Sequence, residues 1–176
     1  MDFNPKDKTL WFTDNQTDGM GDDIPMGEIN RATKPGQFFG YPYIVSKTRI
    51  TDNGYDKDSI PAGAVDPQVM TVAYAADLGM AFYSGKQFPA KYQNGFFSAQ
   101  HGSWNRTKPV GARLLFTSLK ADGTADKNGV FAEGWLDDET GLHLGRPVDV
   151  AVAKDGSLFV SDDYAGAIYR ISYTAP

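Results

Sequence analysis

Residues 2–14 read DFNPKDKTLWFTD and residues 150–162 read VAVAKDGSLFVSD, so one pattern occurs near both ends of the chain. In each copy a short strand is followed by a tight polar turn and then by a hydrophobic strand that ends on Asp, which is typical of a β-hairpin. A weaker copy, NGFFSAQH, covers residues 94–101. Repeats built from short strands at this separation are typical of a β-propeller.

The composition of the 176-residue chain favours an all-β fold and argues against several kinds of partner. Glycine (19), proline (10) and aromatic residues (13%) are frequent, and no segment shows sustained helical periodicity. No apolar run is long enough to cross a bilayer, so we expect no membrane span. A net charge of −5 without a basic cluster argues against a nucleic-acid partner. The absence of cysteine excludes disulfides and thiolate zinc sites.

The repeats predict blades of four-stranded antiparallel sheet, about three in all, at approximately residues 1–49, 69–133 and 146–173. The outer strand of the first blade is expected after residues 36–43, and the last blade is expected to lack its outer strand. The second blade is expected to use strands at Val69–Tyr74, Met80–Tyr83, Gly95–Ala99 and Ala112–Leu119. Because propeller rings have about four to eight blades, residues 1–176 are predicted to form a single partial β-propeller domain.

The loops between the second and third strands of the blades are the candidate functional regions. This loop is long in the first blade (Asn15–Gly27) and short in the last (Asp163–Gly166), and His101 occupies the equivalent place in the second. Such loops emerge together at one mouth of a propeller channel, and long loops on a rigid scaffold often carry function. The polar stretch 51–66 is expected to be a linker.

Several phrases resemble the pyrroloquinoline-quinone (PQQ) dependent soluble aldose and glucose dehydrogenases, which are six-bladed propellers. The resemblance is carried by LWFTDN (10–15), GDDIP (21–25), EIN (28–30) and GQFFGYP (36–42). It is closest to the sorbosone dehydrogenase-like branch at AQHGSWNR (99–106) and GRPVDV (145–150). The resemblance implies that the chain is the C-terminal half of the propeller. It also implies a PQQ- and calcium-dependent oxidation of an aldehyde or hemiacetal by hydride transfer to quinone.

The resemblance places the family's catalytic histidine and its Arg-Asn pair upstream of residue 1, so this chain alone is expected to be inactive. Two functions stay open: half of a sugar dehydrogenase-like oxidoreductase, or a non-catalytic propeller module that binds a ligand or a protein. The expected partners are a small sugar or aldehyde, and either the missing propeller half or a second copy in a homodimer. The family implies a periplasmic or secreted protein, and because residues 1–20 lack a signal peptide, any such signal is expected upstream.

The resemblance also places one side of the cofactor pocket on this chain. Asn15 corresponds to an amide near the quinone, and the guanidinium of Arg146 is suited to a bidentate contact with a PQQ carboxylate. The alternative for Arg146 is an ion pair with Asp149. His101 is a candidate for cofactor contact and, if this chain acts alone, for the catalytic base, with a purely structural role as the alternative. Trp104 is expected either to wall the pocket or to hold its own loop.

The long first loop is the candidate calcium site. Gln16 and Thr17 match positions whose backbone carbonyls bind calcium in the family. Asp18, Asp22 and Asp23 add carboxylates, and an oxygen-rich loop suits this hard cation. The alternative is a solvated turn that binds no metal.

Overall fold

The computed structural model describes residues 1–51 and 54–175, so residues 52 and 53 of the expected linker lie outside it. The part of the chain that the model describes is all-β apart from one short 3-10 helix at Ala90–Tyr92. In the described residues no helix is long and apolar enough to cross a membrane. The strands are β1 (Asp2–Phe3), β2 (Leu10–Asp14), β3 (Gly27–Ala32), β4 (Ile44–Val45), β5 (Thr48–Arg49), β6 (Val69–Thr71), β7 (Asp77–Phe82), β8 (Gly95–Gln100), β9 (Arg113–Leu119), β10 (Ala125–Ala132), β11 (Pro147–Val152), β12 (Leu158–Asp162) and β13 (Ala167–Ile171).

The strands form three blade-like antiparallel sheets. Sheet 1 has the order β1-β2-β3-β6, sheet 2 the order β7-β8-β9-β10, and sheet 3 the order β11-β12-β13. A separate two-stranded ribbon, β4-β5, lies within the excursion between β3 and β6. The prediction of an all-β protein built from four-stranded antiparallel propeller blades is therefore confirmed.

The two hairpins predicted at residues 2–14 and 150–162 are present. Asp2 lies opposite Trp11 in the first, and Val150 lies opposite Val160 in the second. In the turn of the first hairpin, Asn4 N donates to the Thr9 carbonyl and Lys8 N donates to the Asn4 carbonyl, both at 2.9 Å, with Lys8 at a positive φ of 61°. The predicted hairpins therefore form because their turn residues and strand patterns agree locally.

The strand assignment differs from expectation in the outer strands. Val69–Thr71 was expected to open the second blade, but β6 instead pairs with β3 as the fourth strand of sheet 1. The prediction of an outer strand after residues 36–43 is wrong. That segment leads into the β4-β5 ribbon, which is a separate sheet. The fourth strand of sheet 2 is β10, a largely exposed strand that carries little hydrophobic alternation.

Sheet 2 lies between the other two, because β7 contacts β1 and β2 on one side and β11 on the other. Against sheet 1, Trp11 is fully buried and packs on Phe82 and Phe96, with ring centroids 6.0 and 5.2 Å apart. Against sheet 3, the core contains Phe97 and Leu114 of sheet 2 and Val150, Leu158 and Val160 of sheet 3. Apolar packing between sheets is thus the main stabilising term.

The outward faces of sheets 1 and 3 lack a neighbouring sheet in the described residues. On sheet 3, Phe159 and Ile168 are 41% and 74% exposed, and both point away from sheet 2. On sheet 1, Phe3 is also exposed, while Phe12 packs against Phe39 at 5.0 Å. We call these two surfaces the radial faces. They have the apolar character of surfaces that pack against another blade.

A buried carboxyl group connects sheets 1 and 2. Asp77 accepts hydrogen bonds from the Thr71 hydroxyl of β6 and, at 3.0 Å, from Gln100 Nε2 of β8. Arg113 Nε donates to Gln100 Oε1 at 2.7 Å, which orients the amide. Complete burial raises the pKa of Asp77 from 3.8 to about 6, and the hydrogen bonds offset only part of the desolvation cost.

The raised pKa predicts a pH-dependent loss of stability. The unfolded carboxyl ionises near 3.8 and the folded one near 6, so the folded state binds more protons between these values and stability falls as pH rises through them. Asp77→Asn removes this pH dependence because the amide does not ionise. From pH 4 to pH 7 the wild type should therefore lose about 2 to 3 kcal/mol more of its free energy of unfolding than Asp77→Asn loses. Urea unfolding across this pH range measures it, with Asp126→Asn on exposed β10 as control. Parallel profiles for wild type and Asp77→Asn would contradict the assignment.

Candidate functional site

Three loops at the same end of the sheets form a continuous surface that we call the rim. Its members are the segment 14–27 after β2, the segment 101–112 after β8, and the segment 163–166 after β12 together with residues 142–146 before β11. Side chains connect each loop to the next, so the rim is one assembled surface.

The first and second loops are joined by contacts from residues 105–107 to the acidic segment. Thr107 N donates to both carboxylate oxygens of Asp22 at 3.1 and 3.2 Å, and Arg106 Nη1 donates to the Asp22 carbonyl. Asn105 Nδ2 donates to Asp18 Oδ1 at 3.0 Å. The hydrogen bond from the Thr107 backbone holds the pKa of Asp22 below its ordinary value. The acidic loop is thus fixed by its neighbour on sheet 2.

These contacts affect the predicted calcium site. Asp22 is bonded by the Thr107 backbone, and Asp23 Oδ1 lies 4.0 Å from Arg106 Nη2 across open surface. Among the described residues no group of three or more His, Cys, Asp or Glu is arranged to hold a metal ion. Asp18, Asp22 and Asp23 therefore do not converge on one point, and calcium binding by this loop stays a prediction.

Gln16 and Thr17 lie with Asn15 around a depression. These three residues, Asp14 and Tyr41 line a surface hollow of about 420 Å³. Asn15 is exposed, and Gln16 hydrogen bonds to Asp14, whose pKa is raised by burial. The hollow is rich in oxygen ligands, which is the chemistry that calcium prefers.

The second and third loops are joined by Arg146. Its Nε donates to the His101 carbonyl at 3.0 Å and its Nη2 donates to the Gly102 carbonyl. The structure shows no ion pair between Arg146 and Asp149, and Asp149 Oδ1 accepts a hydrogen bond from Val150 N at 2.8 Å. Arg146 therefore lies on the rim, with one edge of its guanidinium bonded to backbone carbonyls.

His101 pairs with the third loop through its side chain. His101 Nε2 lies 2.9 Å from Asp163 Oδ1, and the backbone N of His101 donates to the Ala76 carbonyl at 2.9 Å. The hydrogen bond from His101 lowers the pKa of Asp163 below its ordinary value. The Asp163 carboxylate orients the His101 imidazole. His101 and Arg146 are thus neighbours, whereas the structure records no contact of either with Asn15.

His143 is a rim residue that the sequence did not indicate. Its Nε2 lies 3.1 Å from the Ser103 carbonyl, and its Nδ1 is buried without a hydrogen-bond partner. Burial lowers the pKa of His143, and the nearby charge of Arg146 acts in the same direction, which keeps the imidazole neutral. The only sequence signal was its position three residues before Arg146.

Gly102 lies close to the His143 side chain in this part of the rim. Gly102 has a φ of +95°, and a Cβ there would meet His143 Cε1 at 2.6 Å. Trp104, two residues further on, is 74% exposed, so it does not hold its own loop by burial of the indole. The loop is held instead by Ser103, whose backbone N bonds the Val110 carbonyl at 2.8 Å.

Comparison with known proteins shows the protein family to which the chain is related. A family model described as TrAA12-like matches residues 46–174. An uncharacterized protein from Borreliella burgdorferi is 38% identical over 176 residues, covering 98% of this chain and 46% of that protein. The chain therefore spans about half the length of the relatives that it matches.

Solved structures share the fold at low sequence identity. A family AA12 carbohydrate-active enzyme from Trichoderma reesei, in a calcium structure, superposes with a TM-score of 0.77 at 19% identity, over 98% of this chain and 50% of that one. The holo PQQ domain of a pyranose dehydrogenase from Coprinopsis cinerea gives 0.65 at 19% identity, over 95% and 51%. The apo soluble aldose sugar dehydrogenase from Escherichia coli gives 0.60 at 24% identity, over 98% and 43%.

Blade-like sheets with their loops joined at one rim give this chain the β-propeller fold that it shares with these carbohydrate-active and sugar dehydrogenase structures. More particularly, the match over residues 46–174 covers well over half of the chain, and the chain belongs to the TrAA12-like family.

Proposed function

We propose that this chain is the C-terminal half of a six-bladed, PQQ- and calcium-dependent sugar dehydrogenase, of the aldose or sorbosone type. The observation that carries the proposal is the rim itself, where Arg146, His101 and Asp163 form one connected polar group in a chain that matches the TrAA12-like family. When bound, PQQ would accept a hydride from the aldehyde or hemiacetal carbon. A periplasmic or secreted location is part of the proposal.

The residues of the rim fit a polar tricarboxylic ligand. Two buried polar atoms beside it, Asn105 Oδ1 and His143 Nδ1, have no hydrogen-bond partner among the described residues. Buried polar atoms normally find partners, so such atoms favour a site that a ligand or water completes. The guanidinium of Arg146 would supply positive charge to the carboxylates, the imidazole of His101 would supply a hydrogen-bonding group, and Asn15 would supply an amide.

The protein's own contribution would be position and charge. Because two backbone carbonyls hold Arg146, its guanidinium is preorganised and loses little freedom on binding an anion. Asp163 keeps the imidazole of His101 oriented through a 2.9 Å contact with Nε2. The general base that removes the substrate proton is proposed to come from the other half of the propeller, so His101 contacts the cofactor and is not the base.

Calcium would bind at the hollow of the first loop. The carbonyls of Gln16 and Thr17 are the proposed ligands, with Asp14 as the nearest buried carboxylate. Asp18, Asp22 and Asp23 would act by adding negative charge and by fixing the loop against residues 105–107.

A binding experiment tests the proposal without requiring turnover. Titration calorimetry of PQQ into the 176-residue chain with calcium should show binding that weakens about tenfold or more in Arg146→Ala, because a charge-assisted bidentate contact is lost. Arg146→Lys, which keeps the charge but not the planar fork, should fall between the two. Arg49→Ala is the control, since Arg49 bonds to the carbonyls of residues 56 and 58 in the ribbon region.

Two results would count against this assignment. Equal PQQ affinity in wild type and Arg146→Ala would remove Arg146 from the cofactor site. Affinity that is unchanged after calcium is removed with a chelator would remove the metal from it.

The second candidate function is a non-catalytic propeller module that binds a ligand or a protein. The observation that favours it is the pair of exposed radial faces, which suit association with another polypeptide. In the leading proposal these faces are covered by further blades, either from the missing half or from a second copy of the chain.

A further inference from the structure

A cavity of about 390 Å³ lies where sheets 1 and 2 meet, at the rim end of their outer strands. It is lined by Val72, which directly follows β6, by residues 108–113, which lead into β9, and by residues 133, 134, 136 and 138, which follow β10. None of the proposed cofactor contacts lines this cavity, so it is separate from the proposed cofactor site. Its volume is in the range of pockets that hold small molecules.

Charged side chains of both signs line this cavity. Lys108 and Arg113 are basic, and Glu133 and Asp138 are acidic. In the part of the chain that the structure describes, none of the four takes part in an ion pair. Opposite charges that share a cavity without neutralising each other are complementary to a ligand that carries both charges.

Arg113 is held in position from inside the protein. Its Nε donates to Gln100 Oε1 at 2.7 Å, and Gln100 is fully buried and donates in turn to Asp77 Oδ1 at 3.0 Å. Among the described residues this is the only hydrogen bond recorded for the Arg113 side chain, so both Nη groups are left for a ligand. A guanidinium that is already oriented binds a carboxylate with little loss of freedom, and its fork matches the two carboxylate oxygens.

The remaining walls are apolar side chains and backbone. Val72, Pro109, Val110 and Leu136 contribute apolar surface. Ala112 is 1% exposed and has a φ of +49°, a conformation that residues other than glycine rarely adopt. Strained backbone positions of this kind are concentrated at ligand sites. The cavity therefore combines opposite charges, apolar walls and a constrained backbone.

We propose that this cavity binds a small zwitterion of the size of a dipeptide, with its carboxylate on Arg113 and its ammonium group at Glu133 and Asp138. Because the basic and acidic side chains are not paired with each other, the two charges of the ligand must be several bonds apart, as they are in a dipeptide. A neutral sugar would leave the charges of the cavity unmatched, and a polycarboxylate would be repelled by the two acidic side chains. The site does not depend on the proposed function.

Calorimetry with three forms of one dipeptide tests each charged contact separately. Alanyl-leucine carries both charges, N-acetyl-alanyl-leucine lacks the ammonium group, and alanyl-leucinamide lacks the carboxylate. Alanyl-leucine should bind saturably to the 176-residue chain in the absence of PQQ and calcium. Each blocked form should bind about tenfold more weakly or worse, because one charge-assisted contact is lost.

Substitution of the two acidic residues assigns the ammonium contact. Glu133 and Asp138 are exposed, so the double variant Glu133→Gln, Asp138→Asn should fold as wild type does. It should bind alanyl-leucine about tenfold more weakly and N-acetyl-alanyl-leucine as wild type does, because the acetylated form has no ammonium group to lose. The control is Glu139→Gln, Asp126→Asn, which makes the same change in net charge at exposed residues outside the cavity lining and should bind normally.

Arg113→Lys assigns the carboxylate contact. It keeps the positive charge and loses the planar fork, so it should weaken binding of alanyl-leucine and leave the affinity for alanyl-leucinamide unchanged. Because Arg113 also bonds Gln100, thermal unfolding of this variant is measured in parallel. The acidic double variant tests the site independently of that measurement.

Three results would overturn this proposal. The first is no saturable heat with alanyl-leucine, and the second is equal affinity for the parent dipeptide and both blocked forms. The third is binding of gluconate, a hydroxylated carboxylate without an ammonium group, at least as tight as that of alanyl-leucine, because the cavity would then recognise an anion alone. Loss of PQQ binding in Arg146→Ala should leave alanyl-leucine binding unchanged, since Arg146 does not line the cavity.

Discussion

Light scattering on the purified chain is expected to give a particle of twice the 19.2 kDa chain mass or larger, and not a monomer. The radial face of sheet 3 exposes Phe159 and Ile168, and the opposite radial face exposes Phe3. In a dimer with a two-fold axis, the radial face of sheet 1 in each copy would pack against the radial face of sheet 3 in the other copy. The symmetry would form this contact two times. Covering apolar surface in this way supplies the driving force for association.

Charge placed on one radial face should prevent this pairing. Phe159→Asp or Ile168→Asp puts an unpaired carboxylate into the proposed contact. Because burying such a charge costs several kcal/mol, the dissociation constant of the dimer should rise by roughly 100-fold or more. Val130→Asp is the matched control, because Val130 is 48% exposed on β10 and lies on neither radial face. A stable monomer at micromolar concentration for the unmodified chain would show that the radial faces are ordinary surface.

The second large effect concerns catalysis. The chain alone, given PQQ, calcium and an aldose, is expected to reduce an electron-accepting dye at a rate close to background. General-base catalysis contributes roughly 10²–10⁴-fold, and the proposed base is on the other half of the propeller. Supplying that half in trans should restore a rate higher by about the same factor. Robust activity from this chain alone would mean that His101, paired with Asp163, serves as the base.

The hairpins could be predicted from sequence because their information is local. The turns at Lys6–Lys8 and Lys154–Gly156 and the strands beside them are adjacent in the chain, and β2, β8 and β12 formed where the repeated pattern placed them. The outer strands depend on distant pairing. β6 joins β3 after an excursion of more than thirty residues, and nothing in the local pattern of Val69–Thr71 distinguishes an outer strand of sheet 1 from the first strand of sheet 2.

In the candidate site, too, local features could be predicted from the sequence and distant contacts could not. The loop positions of Asn15, His101 and Arg146 followed from the repeat, and the structure places His101 and Arg146 side by side. Asp22 is bonded by residues more than eighty positions away: Arg106 donates to its backbone carbonyl, and the backbone N of Thr107 donates to its carboxylate. Likewise the contact of His143 with Ser103 joins residues forty apart. Such partners are set by the packing of neighbouring blades, and the sequence of one loop does not encode them.

The central claim is that this rim is half of a PQQ-dependent sugar dehydrogenase site, and one rate measurement tests it most directly. The chain is mixed with the complementary propeller half, and sugar-dependent dye reduction is followed with and without PQQ in the presence of calcium. We expect dye reduction only when both halves and PQQ are present. We also expect its rate to fall when Arg146 is replaced by Ala. A complete, folded propeller that neither binds PQQ nor oxidises any aldose would contradict the account and favour the binding module.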